Sequence, residues 1–219
     1  MGRLSRRRDV TALALVFVFA AFANAALMVT PISSWRDHIT VNLGLPSTLP
    51  VTSALFLALF LVPLILVGGS VLAGRAIACV KVSTYEMIGR FSLALVPLAS
   101  AMWAAHYLFH FLLGWDSVLP VFQRILGDLS WAVGQSRWPV AGPLISMDHL
   151  RILQTVLLDI GLLATLYLGW RIARLHAFRL RPAVGLVAPW GSVAVSLYAF
   201  GIWTCLQPMQ MRGMPNPLF

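Results

Sequence analysis

Long apolar stretches separated by short polar segments make up most of the chain. Because a bilayer core of about 30 Å requires about 20 mostly apolar residues per helix, five of these stretches are long enough to span a membrane. Pro63, Pro97 and Pro189 fall inside them, and membrane helices tolerate proline better than soluble helices do. The pattern predicts an all-α integral membrane bundle, a single domain over residues 1–219, with five transmembrane spans at about 11–32, 51–73, 88–113, 150–170 and 183–206.

The only long segment between spans runs from about residue 114 to 149. Within it, apolar residues recur at helical spacing while polar side chains occupy the other faces. The apolar positions are Phe122, Ile125, Leu126, Leu129 and Val133. This pattern predicts one short helix over about 119–134 that lies in the membrane interface.

The first span has a second interpretation, as a secretory signal peptide. A basic N-terminal region, an apolar stretch and the sequence Ala23-Asn24-Ala25 together resemble such a peptide and its cleavage site. The apolar run continues through Val29 without the expected break, which favours retention as a membrane helix. On either interpretation the following segment emerges on the same side of the membrane.

Composition excludes a water-soluble globular protein. Of the residues, 59% are hydrophobic and 11% are charged, whereas soluble domains carry about 25% charged residues. The mean hydropathy is +0.84. Two cysteines are too few for a disulfide framework, a four-cysteine zinc site or an iron–sulfur cluster held by this chain alone.

The positive charges indicate the orientation of the spans. The chain has 16 Lys and Arg residues against 7 Asp and Glu residues, for a net charge of +9. With the N-terminus inside, 11 basic residues fall in inner segments and 5 in outer segments. Because basic residues favour the cytoplasmic side, we expect a multi-pass protein of the bacterial inner membrane with a cytoplasmic N-terminus and a periplasmic C-terminus. The net charge is then a topology signal, and no nucleic-acid partner is expected.

Candidate chemistry concentrates near the outer end of the third span. His106 and His110 are four residues apart and therefore lie on one helix face. Met102 lies one turn further in on that face, and His106 is about 10 Å from the end of the helix at 1.5 Å per residue. Copper accepts imidazole and thioether ligands, so the three residues are candidate metal ligands.

Two polar residues of other spans are expected at a similar depth. Asn24 belongs to the first span, and Asp159 lies about 13 Å from the outer end of the fourth span. Polar groups inside a bilayer are costly and usually face the bundle interior with a partner. We therefore expect Asn24, His106 and Asp159 to form one layer. In this layer Asp159 would not bind the metal itself but would fix the tautomer of His106.

The C-terminal segment adds soft ligands. After the fifth span, Met209, Met211 and Met214 form a Met-x-Met-x₂-Met sequence. Cu(I) favours this composition because thioethers are soft donors. His149 could add a further imidazole at the same surface.

Each of these features also has a structural explanation. The histidine pair could form hydrogen bonds between helices, or handle protons or quinones, and Asp159 could be a structural acceptor. The methionine-rich end could be a flexible interfacial segment. Haem b requires two axial histidines on facing helices, and His149 reaches His106 only if the long loop folds back. Haem b therefore ranks below copper as a cofactor.

Motifs of the familiar enzyme classes are absent from the sequence. It contains no G-x-S-x-G, no H-E-x-x-H and no phosphate-binding loop. The 7 acidic residues offer no paired carboxylates within the spans. An autonomous enzyme is not expected.

Several strings of residues together resemble a known family. They are Ala23-Asn24-Ala25, Met28-Val29-Thr30-Pro31, Met102-Trp103-Ala104-Ala105-His106-Tyr107, Phe109-His110-Phe111, Pro120-Val121-Phe122-Gln123-Arg124 and Gln207-Pro208-Met209-Gln210-Met211-Arg212-Gly213. The chain resembles, over nearly its whole length, the membrane portion of bacterial polyferredoxin-like, membrane-bound 4Fe-4S proteins. Those proteins are broadly related to the membrane electron-transfer proteins of denitrification and oxidase assembly.

The resemblance implies a membrane module in an electron-transfer or copper-handling setting. The family carries C-x-x-C-x-x-C-x-x-x-C-P cluster motifs, and this sequence has none. The cluster-bearing part is therefore on another chain or has been lost, and no iron–sulfur cluster is expected here.

The leading hypothesis is a bacterial inner-membrane protein of redox or metal handling. Its outer-side His/Met cluster would bind copper or support electron transfer with a partner subunit. The expected partners are the lipid bilayer and another membrane or electron-transfer subunit. Two alternatives stay open, namely a non-catalytic subunit for the assembly of a larger complex and a small proton-coupled transporter centred on Asp159.

Overall fold

The computed structural model describes residues 7–46, 48–80, 82–115, 118–128 and 144–209. Within these ranges the chain is helical, and an isolated β-bridge joins Val29 to Met209. The helices are α1 (Arg8–Ala26), α2 (Thr30–Leu43), α3 (Thr48–Phe56), α4 (Val62–Ala78), α5 (Thr84–Ala94), α6 (Val96–Gly114), α7 (Val118–Asp128), α8 (Met147–His176) and α9 (Leu180–Leu206), with a π-helical turn at Leu57–Leu61 between α3 and α4.

Within the described ranges, five helical segments are long and apolar enough to cross a membrane, the same number as the predicted spans. They are Arg8–Ala26, Thr48–Ala78, Thr84–Gly114, Met147–His176 and Leu180–Leu206. Only 22% of the apolar window in the second segment and 28% of that in the fourth is buried inside the bundle. Such a large apolar surface is typical of a multi-pass membrane protein, because lipid replaces water around it.

The first predicted span extends too far at its C-terminal end. Helix α1 ends at Ala26, and α2 begins at Thr30 with Pro31 in its first turn. Proline has no backbone N–H and a fixed φ, so it suits the start of a helix and disfavours continuation of the preceding one. Helix α2 carries polar residues outside the apolar segment, and two of them, Arg36 and Asp37, form an ion pair.

The predicted interfacial helix is present in part. Helix α7 covers Val118–Asp128, and the remainder of the prediction, residues 129–134, lies outside the described residues. Its apolar side chains are exposed on the bundle, with Val121 55%, Phe122 57% and Ile125 49% accessible. An amphipathic helix with an uncovered apolar face is the kind of element that binds a membrane interface.

Small residues let the long helices approach closely. A Cβ atom added at Gly161 of α8 would lie 2.6 Å from Cβ of Ala101 in α6. One added at Gly185 of α9 would lie 2.9 Å from Cγ2 of Ile77 in α4. Membrane helices associate by such close packing, since lipid chains are as apolar as the side chains they replace.

Pro97 divides the third span into α5 and α6. The two helices meet at Leu95, and Pro97 occupies the first turn of α6. The backbone N–H of Leu98 donates to Oγ1 of Thr165 in α8 at 3.2 Å. A side chain of the neighbouring helix therefore satisfies a donor near the proline and fixes α6 against α8.

Different kinds of contact connect the elements at the two ends of the bundle. At the distal end, where α1, α6 and α9 finish and α8 begins, Leu144 N donates to Leu112 O and Thr30 N to Pro208 O. The opposite end, where α4 and α8 finish and α5 and α9 begin, is the proximal end. There Arg90 pairs with Glu86 at 2.6 Å, and Nε2 of His176 lies 3.9 Å from the same carboxylate oxygen. The contact of His176 with Glu86 joins α5 to the end of α8.

Candidate metal centre

The structure brings His106 and His110 together on one face of α6. Their ring centroids are 4.7 Å apart, and the ring planes are nearly perpendicular at 82°. His106 is 2% exposed, whereas His110, one turn nearer the distal end, is half-buried. The pair thus runs from the bundle core towards the distal end, as the four-residue spacing predicts.

One nitrogen of His106 has no partner. Its Nδ1 atom is enclosed by the protein and makes no hydrogen bond with any described residue. Most buried polar side-chain atoms have at least one partner, so an unpartnered ring nitrogen at this position is a candidate ligand atom. Nδ1 of His106 is therefore free to bind a ligand, with the imidazole of His110 beside it.

Met102 lies one turn below His106 and is completely buried. Its Sδ atom is 3.3 Å from the position that a Cβ atom would take at Gly201 in α9. Cε1 of Phe22 in α1 is 3.1 Å from the same position. Gly201 therefore provides the space in which the thioether of Met102 packs between α1 and α9.

Gln154 of α8 was not predicted to be part of the site. Its side chain is 1% exposed, and Nε2 donates to the backbone oxygen of Ala105 at 2.9 Å, next to His106 in the chain. The amide therefore anchors α8 to α6 beside the histidine pair. The sequence does contain a signal for this contact, because an amide side chain inside an apolar span usually forms a hydrogen bond with another helix.

His149 does not join the pair. It is exposed at the start of α8, and its Nδ1 atom lies 2.7 Å from Oγ of Ser146, the N-cap residue of that helix. In the part of the chain that the structure describes, no group of three His, Cys, Asp or Glu side chains is placed to hold a metal ion. The described side-chain contact of His149 is therefore with its own helix cap.

Asp159 contacts Tyr198 instead of His106. The Tyr198 hydroxyl of α9 donates to Oδ1 of Asp159 at 2.6 Å. The hydrogen bond expected between Asp159 and His106 is not formed, because α8 directs this carboxylate towards α9. Asn24 is half-buried on α1, and its side chain makes no hydrogen bond with a described residue. The expected layer is therefore not a hydrogen-bonded unit.

Met209 lies at the junction of α1 and α2. The backbone N–H and the hydroxyl of Thr30 both donate to the carbonyl of Pro208 at 2.8 Å, and Met209 forms the bridge with Val29. These bonds hold the segment after α9 against the end of α1. Met211 and Met214 lie outside the described residues.

Comparison with known protein families, curated proteins and solved structures finds no match for this chain. The candidate ligand atoms of the site lie on α6. These are two adjacent imidazoles and a buried thioether on one face of α6. This neutral set is suited to a soft or borderline metal ion and not to Mg²⁺ or Ca²⁺, which require oxygen ligands.

Proposed function

We propose that this chain is a membrane protein of redox or metal handling that holds Cu(I) between His106 and His110. The observation that carries the proposal is the enclosed, unpartnered Nδ1 of His106 beside a second imidazole at a centroid distance of 4.7 Å. Met102 supplies a buried thioether one turn away on the same helix face. Cu(I) would satisfy this nitrogen, for which no described side chain is a partner.

The donor set favours Cu(I) over zinc. Zinc in proteins is almost always bound by four ligands, or by three ligands and a water. Among the described residues, no third His, Cys, Asp or Glu joins the pair. Cu(I) is a soft ion that accepts imidazole and thioether ligands, so two histidines and a methionine suit it better.

The proposed orientation places the distal end in the periplasm of a bacterial inner membrane. Basic residues cluster at the proximal end, which favours a cytoplasmic location for that end. Met209, Met211 and Met214 then supply thioethers on the periplasmic side, where an incoming copper ion would first meet the protein. A partner subunit in the membrane would exchange the ion or its electrons with the pair.

The test is metal analysis of protein purified anaerobically in detergent and reduced with ascorbate. We expect about one copper per chain in the wild type, as for any single-ion site. His106→Ala/His110→Ala should lose the copper, while His149→Ala, which removes an exposed imidazole at the same end, should keep it. Thermal unfolding of all three proteins establishes that each variant is folded.

Three results would contradict the copper site. The first is a folded wild type that contains no copper and takes up none from a Cu(I) solution. The second is copper that remains in the double variant. The third is a Soret band that disappears in the double variant, which would identify haem b in place of copper.

A further inference from the structure

A carboxylate lies deep inside the fourth membrane-spanning segment. Asp159 is the thirteenth residue of α8, which has 30 residues. At 1.5 Å per residue it is about 18 Å from the start of a helix about 45 Å long. If a hydrocarbon core of about 30 Å is centred on the helix, Asp159 is about 10 Å inside it.

Within the described ranges, a hydrogen-bond partner is present at one of the two carboxylate oxygens. Oδ1 accepts the hydrogen bond of the Tyr198 hydroxyl at 2.6 Å. Oδ2 makes no hydrogen bond with a described residue, and it is not one of the polar atoms that the protein encloses. The neighbouring side chains of α8 point outwards, with Val156 46%, Ile160 59% and Leu163 67% exposed. Oδ2 therefore opens onto the side of the bundle between α8 and α9.

This position conflicts with the bilayer around it. Lipid offers no hydrogen-bond donor in the core, and ionisable side chains at this depth pair with another group or face a water-filled cavity. The large cavity of the bundle, about 380 Å³, lies between α1, α3, α4 and α9 and is not lined by Asp159. No ion pair of Asp159 is present among the described residues. Among the described residues, no side chain pairs with Oδ2 of this carboxylate.

A second copy of the chain does not supply the missing cation. All Lys and Arg side chains lie at the ends of the predicted spans or beyond them, at residues 3, 6, 7, 8, 36, 75, 81, 90, 124, 137, 151, 171, 174, 179, 181 and 212. None of them falls at the depth of Asp159 in a neighbouring copy. Two copies meeting at this face would instead bring two carboxylates together, which repel each other when both are ionised.

We propose that the side of the bundle formed by Asp159, Tyr198 and the exposed face of α8 binds a transmembrane helix of a partner protein that carries a Lys or Arg residue at mid-membrane depth. Charge complementarity selects this partner, because a basic side chain satisfies Oδ2 and is itself costly in lipid without an acidic partner. Tyr198 holds the carboxylate towards the interface. The proposal does not depend on the copper site, since Asp159 contacts neither histidine.

The test uses the full chain reconstituted in liposomes with labelled synthetic peptides. One peptide is a leucine-rich transmembrane helix with a single central Lys, and the other has Leu at that position. We expect energy transfer to show roughly tenfold tighter binding of the Lys peptide to the wild type, as close charge pairs at interfaces produce. Asp159→Asn should bind both peptides equally. Asp148→Asn, at a side chain that is 91% exposed near the start of α8, should keep the preference.

Exchanging the charges of residue 159 and the peptide distinguishes a specific ion pair from a general effect of the substitution. Asp159→Lys should bind a leucine-rich peptide with a central Asp in preference to the Lys peptide. The proposal is overturned if the folded wild type does not distinguish the Lys and Leu peptides, or if Asp159→Asn retains the distinction. Proton-dependent solute uptake that requires Asp159, without any peptide preference, would also overturn it and would identify a transport site.

Discussion

Replacing Gly161 by Ala tests the closest helix contact described, the crossing of α6 and α8. A Cβ atom at this position would lie 2.6 Å from Cβ of Ala101, 3.1 Å from Cα of Leu98 and 3.2 Å from the carbonyl oxygen of Pro97. All three atoms are fixed to the backbone of α6, so no change of rotamer relieves the overlap. Helix α8 has to move by about 0.8 Å to bring the shortest distance to an ordinary contact of 3.4 Å.

The displacement weakens interactions on both sides of the glycine. The bond from Leu98 N to Oγ1 of Thr165 is 3.2 Å long, and the bond from Gln154 to Ala105 is 2.9 Å long. Overpacking costs about 1–3 kcal/mol, and each hydrogen bond contributes about 1 kcal/mol. We therefore expect a loss of about 2–4 kcal/mol in unfolding free energy, which lowers the Tm of a chain of this size by roughly 5–15 °C.

The assay is thermal unfolding of the detergent-solubilised variant, monitored by circular dichroism. Gly191→Ala is the matched control, because the nearest atom to its added Cβ is Cδ2 of Leu166 at an ordinary 3.6 Å. The control should unfold at the temperature of the wild type. If Gly161→Ala unfolds with the wild type, or no earlier than the control, then α6 and α8 do not cross at this glycine.

Three further predictions address the site, the helix junction and the topology. Met102→Leu, which conserves volume, should leave the Tm nearly unchanged but weaken Cu(I) binding in a competition with a chelator. If the variant and the wild type bind Cu(I) with equal affinity, Met102 is not a ligand. Thr165→Val should lower the unfolding free energy by about 1–3 kcal/mol, because the N–H of Leu98 loses its acceptor; a denaturation midpoint equal to that of the wild type would contradict this role. A membrane-impermeant maleimide should label the exposed Cys79 in inside-out vesicles only and spare the buried Cys205; labelling in right-side-out vesicles would reverse the proposed orientation.

The sequence alone determines how many helices are long and apolar enough to span a membrane, and it determines the adjacency of the histidines. Hydropathy reports length and apolar content, and those two properties decide whether a segment can cross a bilayer. The contact of His106 with His110 is local, since it follows from the period of a single helix. It is therefore independent of how the helices pack together.

Only the tertiary structure decided which helix faces meet. Asp159 pairs with Tyr198, 39 residues away, and Gln154 pairs with Ala105, 49 residues away. Hydropathy does not distinguish a face that contacts lipid from one that contacts another helix, because both environments are apolar. Close approach at glycines such as Gly161 sets the rotation and register of each helix. For this reason the sequence pattern suggested His106 as the partner of Asp159, whereas the structure pairs this carboxylate with Tyr198.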